Sequence, residues 1–191
     1  MIRLHRPECP NINALENGVY NHPDNKAALR AAGSGKCMYC EANVIANTPY
    51  DIEHFRPKAV HPELEFVWEN LGYSCPVCNR QYKSSKFSDD LINPYEEDPE
   101  DSLEFFGSMC LPVNDSVKAD ITTDIVGLNR TDLVSKRADK LSALRSTVRL
   151  YKGLDEGGQK EAIREQLLIE AQPDKEFSLV AKCYLRYEGI F

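Results

Sequence analysis

Four cysteines fall in two C-x-x-C pairs, Cys37–Cys40 and Cys75–Cys78, and between them stands a Glu53-His54 doublet; Asn79 follows the last cysteine directly. A C-x-x-C turn lets two thiolates reach one ion, and two such turns supply the tetrahedral donor set of Zn²⁺. With sulfur at all four positions the ion has no open site, so it is structural and the chemistry must lie elsewhere. A redox dithiol is the rival reading, but it calls for a βαβ setting that the surrounding sequence does not offer. The 34 residues 41–74 between the pairs are more than a ribbon or clef needs. An insert therefore sits between the knuckles, and it carries the doublet.

Hydrolysis of a phosphodiester needs an activated water, neutralised phosphate charge and help for the leaving oxygen. His54 is a suitable base near neutral pH. Mg²⁺, with Mn²⁺ as the alternative ion, takes oxygen ligands, and Glu53 and Asn79 can supply two. Asp51 shares the strand parity of Glu53 and is the fallback ligand. Lys83 lies four residues beyond Asn79, on the same helix face, where it would meet the same phosphate. Arg56 and Lys58 are weighed as phosphate contacts against solvated loop charges. His5, His22 and His61 lack such neighbours and read as ordinary surface or core residues.

With Glu53-His54, Asn70 and Asn79, the stretch resembles an HNH endonuclease core, the ββα-metal or His-Me finger fold. The resemblance implies that His54 is general base, that Glu53 and Asn79 bind Mg²⁺, and that Asn70 braces the loop behind the histidine. The four-Cys clamp recurs in that family. Two departures stand out: Glu replaces the commoner Asp before the histidine, and Lys83 stands four rather than three residues beyond Asn79, with Tyr82 in the usual place. The segments E-H-F-R-P-K, W-E-N-L, L-I-N-P-Y-E-E-D-P-E-D and I-V-G-L-N-R-T-D-L are similar to the small HNH subunit of Septu-type and retron-associated anti-phage systems, the PtuB-like family, over about residues 30–145. That similarity implies an ABC/SMC-like ATPase partner, and in retron systems a reverse transcriptase with its DNA.

The elements that must position these residues follow from turn and periodicity signals. Residues 1–23, rich in Pro and Asn, read as an extended arm, and Asp24 caps a short helix to Ala32. Ala42–Ala46 and Asp51–Phe55 read as strands joined at 47–50, and a helix runs from Pro76 to about Phe87. Residues 88–104 hold eight acidic and no basic residues and read as a solvated acidic loop, with a docking surface as the alternative. Leu103–Phe106 and Met109–Val113 read as a second hairpin. Helices are expected at 119–126, 131–152, 159–171 and 174–187, the second burying Val134, Ala138, Leu141, Leu144, Val148 and Tyr151. The expected class is α+β: an arm and short helix at 1–36, a ββα-metal core with its zinc clamp at 37–90, then an acidic loop, hairpin and helical part at 91–191.

At 191 residues the chain can bury a real core. It has no apolar run of membrane length and no apolar leader, which predicts a cytoplasmic protein without a membrane partner. Seven cysteines, four of them in metal-ligand spacing, suit a reducing compartment. A net charge of −7 argues against a stand-alone nucleic-acid binder and suits a nuclease that acts inside a complex. The reading is thus a metal-dependent endonuclease on nucleic acid, DNA in preference to RNA. The rival is a non-catalytic zinc module that scaffolds an ATPase or reads nucleic acid.

Overall fold

A computed structural model describes residues 1–43 and 51–191. Strand β1 (Asp51–His54) pairs antiparallel with β2 (Leu71–Ser74), Asp51 opposite Ser74 and His54 opposite Leu71. The expected strand Ala42–Ala46 and its turn fall largely outside the described residues; Asn43 makes a single bridge to Lys36. The described partner of β1 is therefore β2, which sequence reading had not placed. All four residues of β2 are buried, so the alternation that marks a half-exposed strand is absent. Gly72 lets the first cysteine turn approach closely: a Cβ would come within 2.3 Å of Met38 Sδ and push that side chain aside, and Met38 N–H donates to the Tyr73 carbonyl at 2.9 Å. The first cysteine turn thus lies directly on β2.

The helix after the second cysteine pair spans Val77–Lys83 with wide, π-type turns and stops at Ser84, whose φ is +48°. It is four residues shorter than the expected Phe87 end. Such wide turns are uncommon and concentrate at functional sites. In the arm, α1 (Ile12–Glu16) buries Ala14 and Leu15, where an extended segment was expected. Helix α2 (Pro23–Ala32) is capped by His22 rather than Asp24: the His22 ring accepts from the Asp24 N–H.

The second half forms as a hairpin and four helices. Strands β3 (Leu103–Phe106) and β4 (Met109–Pro112) pair across Gly107-Ser108. They are followed by α3 (Val117–Val126), α4 (Thr131–Gly153), α5 (Gly158–Ile169) and α6 (Ser178–Tyr187). Helix α6 packs on β3 and α4, and α3 packs on β4 and the Val77–Lys83 helix. The α4 seam is Leu133, Arg137, Leu141, Leu144 and Val148, so its first turns bury positions one residue off the expected Val134 and Ala138. Arg137 is the charged member of this seam. It is buried because Nη1 donates to the Leu128 carbonyl at 2.7 Å and the guanidinium lies 4.7 Å from the Phe105 ring centre. The acidic 88–104 stretch is likewise no simple solvated loop. Leu91 to Tyr95 are buried, and Ile92 N–H donates to Thr122 Oγ1 at 3.0 Å. Among the described residues, no helix is long and apolar enough to cross a membrane.

Glu41 ties the two halves together. Its carboxylate accepts from the Met1 ammonium at 2.8 Å, from Lys36 Nζ at 3.4 Å and from Ser178 Oγ at 2.6 Å, all buried. Burial pushes its pKa up, but the Met1 ammonium and Lys36 outweigh that and hold it at about 2. A depressed carboxylate pKa stabilises the fold above the unfolded value, about 4.3, and the gain fades as pH falls toward 2. Glu41→Gln leaves buried cations unpaired and is expected to cost about 3–5 kcal/mol at pH 7. Urea unfolding of both proteins should show that gap at pH 7 and a smaller one at pH 3.

Candidate active site

The four cysteine sulfurs lie within 4.8 Å of one another and are buried. Cys40 Sγ and Cys75 Sγ are 3.9 Å apart. A tetrahedron with Zn–S bonds of about 2.3 Å has an edge of about 3.8 Å, so the cluster fits a zinc clamp. Ser74, which ends β2, leads into Cys75, and Cys78 and Asn79 occupy the first turn of the following helix. One ion at the sulfurs would therefore fix both β2 and Asn79.

Beside the cluster is a cleft of about 680 Å³ lined by Asp51, Glu53, His54 and Asn79, with Lys26, Lys58 and Arg80 around it. His54 Nε2 lies 3.0 Å from the Glu65 carbonyl oxygen. A carbonyl only accepts, so Nε2 carries the proton and Nδ1 keeps its lone pair. Burial lowers the His54 pKa and so favours the neutral ring, opposed by the Glu65 carbonyl.

Asn70 closes the loop that carries Glu65. Its Oδ1 accepts from the Arg56 N–H at 2.7 Å; its Nδ2 donates to the carbonyls of Arg56 at 3.0 Å and Leu64 at 3.1 Å. It reaches no reacting position itself. Three hydrogen bonds from one buried side chain set the loop, and the loop sets the imidazole.

Glu53 is 1% exposed. Its Oε1 lies 2.6 Å from Lys83 Nζ and accepts from Tyr39 Oη at 3.2 Å. Among the described residues both contacts fall on Oε1, so Oε2 is the oxygen that would face a metal ion. Burial raises the Glu53 pKa, and Lys83 opposes that rise. Asn79 Nδ2 donates to Asp51 Oδ2 at 3.3 Å, and Arg80 Nε donates to the same oxygen at 2.6 Å. The Asn79 amide thus meets Asp51, the fallback ligand, rather than Glu53. The donor set is hard oxygen beside one imidazole, which suits a hard divalent ion better than a soft one.

The phosphate contact expected of Lys83 is not met. Its side chain is buried, with Nζ held between Glu53 Oε1 and the His54 carbonyl at 2.9 Å. The wide helical turn carries it inward, away from the face it would share with Asn79 on an ordinary α-helix. Sequence reasoning also missed Tyr20, from the arm. Its ring meets His54 edge-on at 4.7 Å, and Lys58 Nζ lies 4.6 Å from its centre. No local signal marks that contact, which joins residues far apart in the chain.

Comparison with known proteins points to a nuclease family. The sequence model of the HNH endonuclease family matches residues 37–85. The chain is 33% identical over 205 residues to the Septu protein PtuB of Bacillus thuringiensis, covering 93% of this chain and 79% of that protein. It is 30% identical over 152 residues to the Septu protein PtuB of Bacillus mycoides (strain KBAB4), covering 63% of this chain and 52% of that protein.

Proposed function

Since this chain belongs to the Septu PtuB family and carries an HNH endonuclease domain, we propose that its cleft hydrolyses phosphodiester bonds of nucleic acid, DNA in preference to RNA, as the nuclease of an anti-phage defence complex. One observation carries the reading. His54, Glu53, Asp51 and Asn79 converge on one cleft, beside a separate cluster of four sulfurs. A scaffold module alone has no use for that convergence, which counts against the non-catalytic rival.

In the proposed mechanism His54 Nδ1 takes a proton from the attacking water, with Nε2 tied to the Glu65 carbonyl. Asn70 keeps that carbonyl in place. Glu53 and Asn79, with Asp51 beside them, would hold Mg²⁺, or Mn²⁺ as the alternative. When bound, that ion supplies charge neutralisation at the phosphate and at the leaving 3′ oxygen. Lys83 opposes the burial penalty on the Glu53 carboxylate and holds it in place. Lys26, Lys58 and Arg80 line the same cleft and would give it the cationic side chains that face a nucleic-acid backbone. Products carry a 5′ phosphate. The four cysteines hold structural Zn²⁺.

The acidic net charge of −7 implies that a partner supplies part of the nucleic-acid grip. The proposed partner is an ABC/SMC-like ATPase, and in a retron setting a reverse transcriptase with its DNA; the proposed compartment is the cytoplasm. The test is co-purification with the product of the neighbouring gene, then cleavage assays on DNA and RNA with Mg²⁺ and with EDTA. Metal-dependent cutting by the complex is expected. Binding without cutting by any form would favour the zinc-module reading.

The brace can be probed separately. Asn70→Ala is expected to lower kcat about 10²-fold through a displaced imidazole. Bound zinc should stay unchanged, as measured by single-turnover kinetics and metal analysis of the same sample.

A further inference from the structure

The I-V-G-L-N-R-T-D-L segment has no part in the cleft, yet its residues gather at the cysteine cluster. Gly127 ends α3 in the left-handed region at φ +62°, and a Cβ there would come within 2.1 Å of the Tyr82 ring. Asn129 accepts from the Cys110 N–H at 2.8 Å and donates to the Cys110 carbonyl at 2.8 Å, which fixes the second hairpin. Arg130 Nη1 then donates to Cys78 Sγ at 3.3 Å and to the Gly127 carbonyl at 3.1 Å. The guanidinium is 5.4 Å from the Tyr82 ring centre and its Nε is 3.0 Å from Asp132 Oδ1.

We propose that Arg130 is a positioning residue for the metal cluster: its guanidinium balances thiolate charge at Cys78 and slows release of the bound ion. Four thiolates around one divalent ion leave two negative charges in excess, and here all four are buried. Buried charge is costly unless it is paired and hydrogen-bonded. A guanidinium stays charged at any working pH and bonds a sulfur in a fixed direction. Hydrogen bonds to a ligand atom orient it and tune how firmly it holds a metal. Cys78 also precedes Asn79, so restraint on that sulfur is restraint on the neighbouring amide. The helical half, read from sequence as support, thereby completes the zinc clamp.

The proposal is independent of the nuclease reading because its readout needs no cleavage. The test uses the full-length zinc-loaded protein, its Arg130→Met and Arg130→Lys variants, and an excess of a chelating dye. Zinc release is expected to quicken about 10- to 100-fold in Arg130→Met, with Arg130→Lys between it and wild type. In the Co²⁺-substituted proteins, the thiolate-to-metal charge-transfer band should move in the Met variant and stay near its wild-type position in the Lys variant. Release at the wild-type rate from Arg130→Met overturns the proposal. So does equal acceleration in Met and Lys, which would mean lost packing rather than lost charge. Should Arg130→Met not fold, Arg130→Gln takes its place with the same outcomes.

Discussion

His54→Ala is expected to cut the cleavage rate by about 10²–10⁴-fold while the protein stays folded and keeps its zinc. The ring is partly exposed at the cleft, and among the described residues the hydrogen bond lost is the one to the Glu65 carbonyl. Stability should therefore change little, whereas no other group at this position can take the proton. In the wild type the imidazole must be neutral to act as base. Burial lowers its pKa from 6.5, so the rate should rise with pH through a midpoint below 6.5 and level off by neutrality. Single-turnover rates from pH 5 to 8 check both statements. Undiminished cutting by the alanine protein would remove His54 from the chemistry.

Cys78→Ser carries the second large effect, and this one falls on the fold. A structural zinc site in small domains contributes on the order of 10–16 kcal/mol at neutral pH. At the cysteines the ion would join two turns that lead into a two-stranded sheet and a short wide helix. Two-stranded sheets are marginal unsupported. A serine oxygen at one corner weakens the donor set and removes the sulfur that Arg130 bonds. The variant is expected to purify with less than stoichiometric zinc, to be cut by protease within residues 37–90, and to show no cleavage activity. Cys9→Ser, whose sulfur lies outside the cluster, is the control and should behave as wild type in all three measurements.

The cysteine cluster was legible in sequence because C-x-x-C spacing encodes a local turn, and two such turns name their own partner. The placement of His54, Glu53 and Asn79 at one cleft was legible for a related reason, since each adjoins a strand or a cysteine that the cluster fixes. Less local features were not. Lys83 read as a phosphate contact because four residues make one α-helical turn, but the helix is wider and turns the ammonium toward Glu53. Strand β2 is buried on both faces and gives no alternation to read. Arg130 and Arg137 carry no local signal of burial. Each is buried against carbonyls at the α3–α4 junction, which only the tertiary fold brings near. Tyr20 reaches His54 from an arm that reads as a connector.

The central claim is that one ion builds the scaffold while a different ion, held by oxygen, serves the hydrolysis. A single preparation can separate them: brief EDTA treatment and desalting, then zinc content and cleavage measured on the same sample before and after Mg²⁺ is restored. One zinc per chain throughout, with cleavage lost after EDTA and regained with Mg²⁺ alone, is the predicted result. Cleavage that persists without added Mg²⁺, or that follows the zinc content instead, would contradict it.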